Sequence, residues 1–271
     1  MKFQEYTLAH LPLVLFCAKL WALWVIANYT YPADPVAELD GGKKRRPAWG
    51  RWFAIVAARS FALACIAAWM SGWNWGLGAF TLVLAVALPL VRGRIASRYL
   101  AELEIGANVL FLFGVASLAL QSGIPSSVPA GSEPASRQMA AAWIVTALVF
   151  FVMRGGSYMV RGILDKGKIL SGGEAPGGTP GVVNKKRTLD TAGYNHGRII
   201  GTIERLMLLA FVAMKAYDAL AFLLTAKGLF RAKELDKSPA FAEYFLVGTL
   251  ASSMIAIAAG LGVQFVLQLL W

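Results

Sequence analysis

Side chains that bind metals or act as strong nucleophiles are scarce in this sequence. Its 271 residues include two cysteines, Cys17 and Cys65, and two histidines, His10 and His196. Both cysteines lie inside apolar runs and the histidines are far apart, so no disulfide, metal site or serine–histidine–acid set can be assembled. This scarcity argues against a metalloenzyme or a hydrolase and favours a role other than catalysis.

Charged residues are also few, at 15% of the chain against about 25% in ordinary globular domains. Hydrophobic residues make up 58% of the chain. They come in runs of about 20, the length that crosses a bilayer as a helix. A water-soluble protein of this composition could not cover its surface with polar groups. The sequence therefore predicts an all-α fold, a polytopic transmembrane bundle of about seven helices whose main partner is the lipid bilayer.

The apolar runs set the bounds of the predicted helices and divide the chain into three parts. The predicted helices cover residues 7–28, 52–72, 75–91, 100–121, 138–153 with a continuation to 164, 206–226 and 241–271. The first five form an N-terminal bundle over residues 1–164. The Gly- and Pro-rich stretch 165–196 is typical of a flexible cytoplasmic loop. The last two helices occupy residues 197–271.

The basic residues orient these helices. There are 26 lysines and arginines against 15 acidic residues, and the basic ones cluster in alternate loops. Because this is the positive-inside pattern of membrane proteins, the net charge of +11 does not indicate nucleic acid binding. The loops after the first, third and fifth helices are predicted to be cytoplasmic, and the N-terminus is predicted to lie outside.

The sixth predicted helix leaves two topologies open. If residues 206–226 cross completely, the loop that follows lies outside although it carries four basic residues between positions 227 and 238. If the segment bends near Lys215 and returns, that loop stays inside and the C-terminus lies outside. The length of 21 residues, flanked by Arg205 and Lys227, favours the complete crossing.

Ionisable residues inside apolar runs are the candidate functional residues, because burying them is costly unless they are paired or face water. At helical spacing, Glu204, Lys215 and Asp218 would share one face of the sixth helix. Such a stripe would serve as a proton or ion relay or a polar substrate site. The alternative, an internal salt bridge that fixes helix packing, is favoured.

Two further basic residues lie within predicted helices. Arg59 is deep in the second helix, and its expected partner is Glu102 or Glu104 at the start of the fourth. Lys19, in the first helix, is an alternative partner for Asp218. Each pairing would neutralise a charge inside the membrane.

The segment 195–205, which leads into the sixth helix, carries glycines and arginines. Glycines before a helix N-terminus beside an arginine can hold a phosphate or a lipid headgroup. The candidate contacts are the basic residues Arg198, Arg205, Lys227 and Arg231. Gly197 and Gly201 would equally permit close helix packing, which is favoured over anion binding. The sequence contains no nucleotide-binding motif and specifies no cofactor, and bound lipids are the ligands that these residues suit.

Three ordered segments carry a family resemblance. They read GRIIGTIERL at 197–206, ALAFLLTAKGLFR at 219–231 and AEYFLVGTLAS at 242–252. Together they resemble an uncharacterised bacterial membrane family, domain of unknown function 3307, over residues 195–262. The resemblance implies a location in the bacterial inner (cytoplasmic) membrane and an acidic residue at Asp218. It implies no particular activity.

Two positions depart from that family. Lys215 stands where the family tends to have glycine, so a pair between Lys215 and Asp218 would be particular to this chain. The family usually begins with a histidine followed four residues later by aspartate, whereas here His10 is followed at that spacing by Val14. Chemistry based on that histidine–acid pair is therefore not expected.

These features favour three functions, in descending order. The first is a structural or accessory subunit of a membrane complex, which fits the scarcity of catalytic residues and the many small residues suited to helix contact. The second is a small ion or solute transporter or channel that uses the stripe of Glu204, Lys215 and Asp218. The third is a membrane enzyme acting on phosphorylated or lipid-linked substrates, which no visible nucleophile–base pair supports.

Overall fold

The structure is a computed structural model that describes residues 2–30, 49–122, 134–166, 191–236 and 239–270. In these ranges every regular element is helical, which confirms the predicted all-α fold. The helices are α1 (Lys2–Thr30), α2 (Trp49–Met70), α3 (Trp75–Arg92), α4 (Leu100–Ser122), α5 (Pro134–Phe150), α6 (Gly156–Lys166), α7 (Thr191–Ala213), α8 (Tyr217–Leu235) and α9 (Pro239–Leu270). The proposed loop at 165–196 falls largely outside the described residues.

Within the described ranges, six helical stretches are long and apolar enough to cross a membrane. Five are α1, α2, α3, α4 and α9, and the sixth is the unit of α5 and α6. A π-helical turn, Phe151–Gly155, joins α5 to α6 without a break. The fifth predicted helix therefore continues past Leu164, to Lys166. The architecture is that of a multi-pass membrane protein.

Polar contacts between helix termini define one end of the bundle, which we call the basic end. Here Ser97, in the short turn between α3 and α4, donates to Asp165 near the end of α6. Lys166 pairs with Glu102 in the first turn of α4. At the opposite end, the tight turn between α2 and α3 carries the exposed tryptophans Trp73 and Trp75.

Helix α9 runs antiparallel to the α5–α6 unit. A Cβ placed on Gly248 would lie 3.6 Å from a Leu164 methyl group, and one on Gly262 would lie 3.5 Å from a Leu148 methyl group. Because Leu164 is near the basic end, α9 begins at that end and crosses to the other. Only positions 236–238 separate α8 from α9, so α8 ends at the basic end as well.

The prediction of one complete crossing at 206–226 is wrong. α7 ends at Ala213 and α8 begins only at Tyr217. Glu204 Oε2 in α7 lies 2.5 Å from Lys227 Nζ in α8, although the two residues are 23 positions apart in sequence. The two helices therefore fold back on each other as a hairpin. Both of its ends point to the basic end, which is the topology that the segment length argued against.

Two clusters of buried apolar side chains hold the helices together. The larger draws on α1 to α6, and in it Trp24 stacks on Phe111 with ring centroids 4.7 Å apart. The smaller fixes the hairpin, because α7 packs between the π turn and α9. Its buried members are Val152, Leu208, Leu209, Ala256, Ala259 and Val263. Helix α7 is thus anchored in the bundle, whereas α8 lies on its outside, against α7 and α9.

Candidate functional site

A buried ion pair lies just inside the basic end. Arg92 is the last residue of α3, and its Nε donates to Glu104 Oε1 of α4 at 2.7 Å. The side chains are only 6% and 0% exposed. The hydroxyl of Tyr29, at the end of α1, donates to the other carboxylate oxygen of Glu104. Three helices therefore meet on one carboxylate.

Aromatic rings complete the surroundings of Arg92. Its guanidinium carbon lies 4.6 Å from the ring centroid of Tyr158 in α6 and 5.4 Å from that of Tyr29. Both positions suit a cation–π contact, which stabilises a cation most when water is excluded. The positive charge of Arg92 is thus compensated by a carboxylate and by two aromatic faces. This arrangement fixes helix packing, with one carboxylate oxygen of Glu104 bonded to Arg92 and the other to Tyr29.

Arg59 does not pair with Glu102 or Glu104, contrary to the prediction from the sequence. Glu104 is held by the arginine at the end of α3, and Glu102 forms an exposed pair with Lys166. Arg59 Nη2 instead donates to Asn28 Oδ1 of α1 at 3.3 Å. The physical reason is the short turn from α3 to α4, which places Arg92, at the end of α3, beside Glu104.

Arg205, in α7, forms a second buried centre. Its Nε donates to the carbonyl oxygen of Val152 in the π turn at 3.0 Å. Its terminal nitrogens reach four further oxygens, Met153 O at 3.4 Å, Ser157 Oγ at 2.7 Å, Thr202 Oγ1 at 3.3 Å and Ser252 Oγ at 3.5 Å. One guanidinium therefore ties α7 to the π turn, α6 and α9.

The π turn explains why an arginine fits there. A π turn widens the helix locally, so its carbonyl oxygens do not all accept hydrogen bonds from within the helix. In the described part of the chain, the oxygens around Arg205 are uncharged, and the neighbouring Glu204 is engaged with Lys227. The sequence offers Arg205 as a candidate contact for a phosphate or headgroup, with helix packing as the favoured alternative. Its donors are filled by protein oxygens, so the geometry favours a fixed packing role.

Replacing Arg205 tests this role. We expect Arg205→Lys to lower the melting temperature almost as much as Arg205→Ala, because an ammonium cannot satisfy five oxygens spread over a planar fork. Each buried carbonyl or hydroxyl left without its donor costs about 1–3 kcal/mol. The measurement is thermal unfolding in detergent. Arg94→Lys, at an exposed position of the basic end, is the control and should leave the melting temperature unchanged.

The tip of the hairpin is a turn at Met214–Ala216. Lys215 adopts φ 60°, a left-handed conformation that costs a lysine energy and that glycine adopts freely. The carbonyl oxygen of Val212, at the end of α7, accepts from the Lys215 N–H within the turn and from the Gln264 side chain of α9.

The predicted stripe of Glu204, Lys215 and Asp218 does not form. The turn at Lys215 interrupts the helix, so the 3.6-residue period no longer relates Glu204 to the residues beyond it. In the described part of the chain, Lys215 and Asp218 form no ion pair with each other. Lys19 likewise has no ion-pair partner there, so its expected pairing with Asp218 is wrong.

Lys215 and Asp218 are both exposed on the surface of the monomer. About two and a half turns of α8, or about 13 Å, separate Asp218 from Lys227 near the basic end. Asp218 lies on the same face of α8 as Phe222 and Leu229, which are also exposed. An acid and a base therefore project from a surface that otherwise carries large exposed apolar side chains.

The remaining predicted headgroup contacts are only partly described. The side chains of Arg198 and Arg231 lie outside the described residues, and Lys227 is half-buried against Glu204. The sequence favours close packing at Gly197 and Gly201. At Gly201 a Cβ would meet only Arg205 Nη1 at 3.8 Å, so no tight helix contact depends on this glycine.

No group of histidine, cysteine, aspartate and glutamate side chains suited to a metal ion occurs among the described residues. The comparisons with known proteins give no match: no family model, no curated protein and no solved structure matches the chain. The candidate site is therefore defined by geometry alone. It consists of the buried centres at Arg92 and Arg205 and the charged hairpin tip at Lys215 and Asp218.

Proposed function

We propose that this chain is a multi-pass protein of the bacterial inner membrane that serves as a structural or accessory subunit of a membrane complex. The observation that carries the proposal is the hairpin tip. A helix break at membrane depth is tolerated only where protein or water covers it. Charged side chains at that depth need the same cover. On the monomer, Lys215 and Asp218 are exposed, and a partner protein would give them this cover.

The proposal includes an orientation. Arg94, Arg98 and Lys166 lie at the basic end, and the basic loops of the sequence connect helices at the same end. By the positive-inside rule this end faces the cytoplasm. With six crossings and a hairpin that enters and leaves from the cytoplasmic side, both termini would lie outside.

The buried charges support a structural role. Arg92, Glu104 and Arg205 each form contacts with protein groups on other helices. Groups that relay protons or bind a substrate do not need such contacts. Such engagement gives each helix one defined position in the bundle. A bundle whose helices are fixed in this way, and whose hairpin tip carries exposed charges, is well suited to docking a partner protein.

Purification at native expression level in a mild detergent or in native lipid discs tests the proposal. We expect the chain to copurify in a fixed stoichiometry with another membrane protein or with further copies of itself. A folded chain that is a lone monomer in both preparations would contradict the proposed function. Mass measurement of the intact particle gives the stoichiometry.

A small ion or solute transporter is the second candidate, because the same charged tip would suit a water-filled pathway. In that case Asp218→Asn should abolish solute flux into proteoliposomes. Flux that survives this substitution removes Asp218 from any transport mechanism. Lipid-directed enzymology has the least support, because Arg205 and Lys227 are occupied by protein partners.

A further inference from the structure

The hairpin tip carries charges of both signs, which restricts what can cover it. Lys215 and Asp218 are three positions apart around the turn, both are exposed, and neither has an ion-pair partner in the described structure. A surface that pairs with both charges therefore presents one acid and one base at matching separation. A tip bearing one sign of charge would repel a copy of itself, whereas a tip bearing both signs can match one.

We infer that the hairpin tip pairs with the tip of a second copy of this chain, with Lys215 of each copy facing Asp218 of the other. A two-fold axis makes such contacts reciprocal, so that residue i meets residue j and residue j meets residue i. One symmetric contact thus forms two intermolecular ion pairs. The inference rests on the proposed function, because it names the partner that covers the tip.

The apolar surface beside the charges extends the same contact. Met214 is 76% exposed at the tip, and Phe222, one turn beyond Asp218, is 74% exposed. Thr225 and Leu229 follow along the same face of α8, and Leu229 is 72% exposed. Two copies of α8 can therefore meet along this face while their tips pair.

Opposite charge reversals distinguish pairing between two chains from pairing within one chain. Lys215→Asp gives a tip with two acids, and Asp218→Lys gives a tip with two bases. Each variant alone should weaken self-association in proteoliposomes about tenfold or more, because like charges then face each other. Aspartate tolerates left-handed φ better than most residues, so Lys215→Asp suits the turn. The measurement is subunit counting by single-molecule photobleaching at low protein density.

Mixing the two variants is the decisive arm of the experiment. When Lys215→Asp and Asp218→Lys chains carry different fluorophores, an acidic tip can meet a basic tip, and we expect association at the wild-type level. If Lys215 and Asp218 instead paired within one chain, mixing would restore nothing. Absence of association in the mixture, or wild-type association of either variant alone, overturns the inference.

Two controls guard against misfolding. Lys215→Gly relieves the left-handed backbone and removes the charge, so the monomer should melt no lower than wild type while self-association weakens. Arg94→Asp reverses a charge at an exposed position of the basic end and should leave self-association unchanged. If Lys215→Gly chains associate as tightly as wild type, the tip is not the contact.

The same counting distinguishes failure of this inference from failure of the proposed function. If an unlike membrane protein copurifies in fixed ratio and the chain does not pair with itself, the second-copy inference falls while the subunit role stands. If the chain is a lone monomer both in native lipid discs and in proteoliposomes, both fall.

Discussion

Glu104→Gln is expected to destabilise the bundle by about 3–5 kcal/mol, because it leaves the charge of Arg92 buried without its carboxylate. The substitution keeps the shape of the side chain, so the loss reports the charge and not a cavity. Arg92 and Glu104 are almost completely shielded and join α3 to α4. Thermal or denaturant-induced unfolding in detergent measures the effect.

The chain offers a matched control for this prediction. Glu102 lies half a turn from Glu104 on the same helix, and its pair with Lys166 is exposed, at 50% and 60%. Exposed pairs contribute little, so Glu102→Gln should melt close to wild type. Replacing both Arg92 and Glu104 by methionine should recover most of the stability lost in Glu104→Gln, because no unpaired charge remains. Equal melting of Glu104→Gln and Glu102→Gln would contradict the buried pair.

Gly260→Ala is expected to destabilise the protein by about 1–3 kcal/mol, because it forces α7 and α9 apart. A Cβ at position 260 would lie 2.6 Å from Val212 Cβ and 3.0 Å from the carbonyl oxygen of Leu209. The backbone oxygen cannot move aside without moving α7. Because the hairpin depends on the close approach of α7 to α9, we expect looser packing of the hairpin together with a lower melting temperature.

Gly228→Ala is the control for the glycine prediction. Its Cβ would meet nothing within 4 Å, and alanine is favoured over glycine inside a helix. We therefore expect a melting temperature equal to or above that of wild type. A loss in Gly228→Ala as large as in Gly260→Ala would mean that the loss does not arise from contact between α7 and α9.

Helices that cross the membrane are predictable because hydrocarbon thickness fixes their length. The apolar run at 75–91 corresponds to α3, which ends one residue later at Arg92, and the run at 100–121 corresponds to α4, which ends at Ser122. A single physical variable, hydropathy summed over about 20 residues, suffices for such elements. The all-helical fold follows because only helices and closed barrels satisfy the backbone in lipid.

The α7–α8 hairpin is not predictable from hydropathy, because its turn contains no residue that breaks a helix. Met214, Lys215 and Ala216 all suit a continuous helix, and no glycine or proline marks the position. One signal nevertheless points to it, because the loop after position 226 is basic.

The buried partners cannot be derived from the sequence because they depend on three-dimensional register. Arg92 lies one residue beyond the predicted end of its helix, where the hydropathy pattern places it in a loop that orients the chain. Its distance of 12 positions from Glu104, across one short turn, places both side chains at the same depth. Two of the five oxygens around Arg205 come from a π turn, for which the sequence carries no recognisable signal.

The topology of the chain depends on α7 and α8 entering the membrane and returning to the same side. Cysteine labelling tests it most directly, in a background lacking Cys17 and Cys65, with a membrane-impermeant maleimide on sealed vesicles of known orientation. We predict that a cysteine replacing Asp236, after α8, is labelled from the same side as one replacing Arg94, and from the side opposite to one replacing Trp75. Labelling of the Asp236 position from the Trp75 side would mean a complete crossing and would contradict the hairpin.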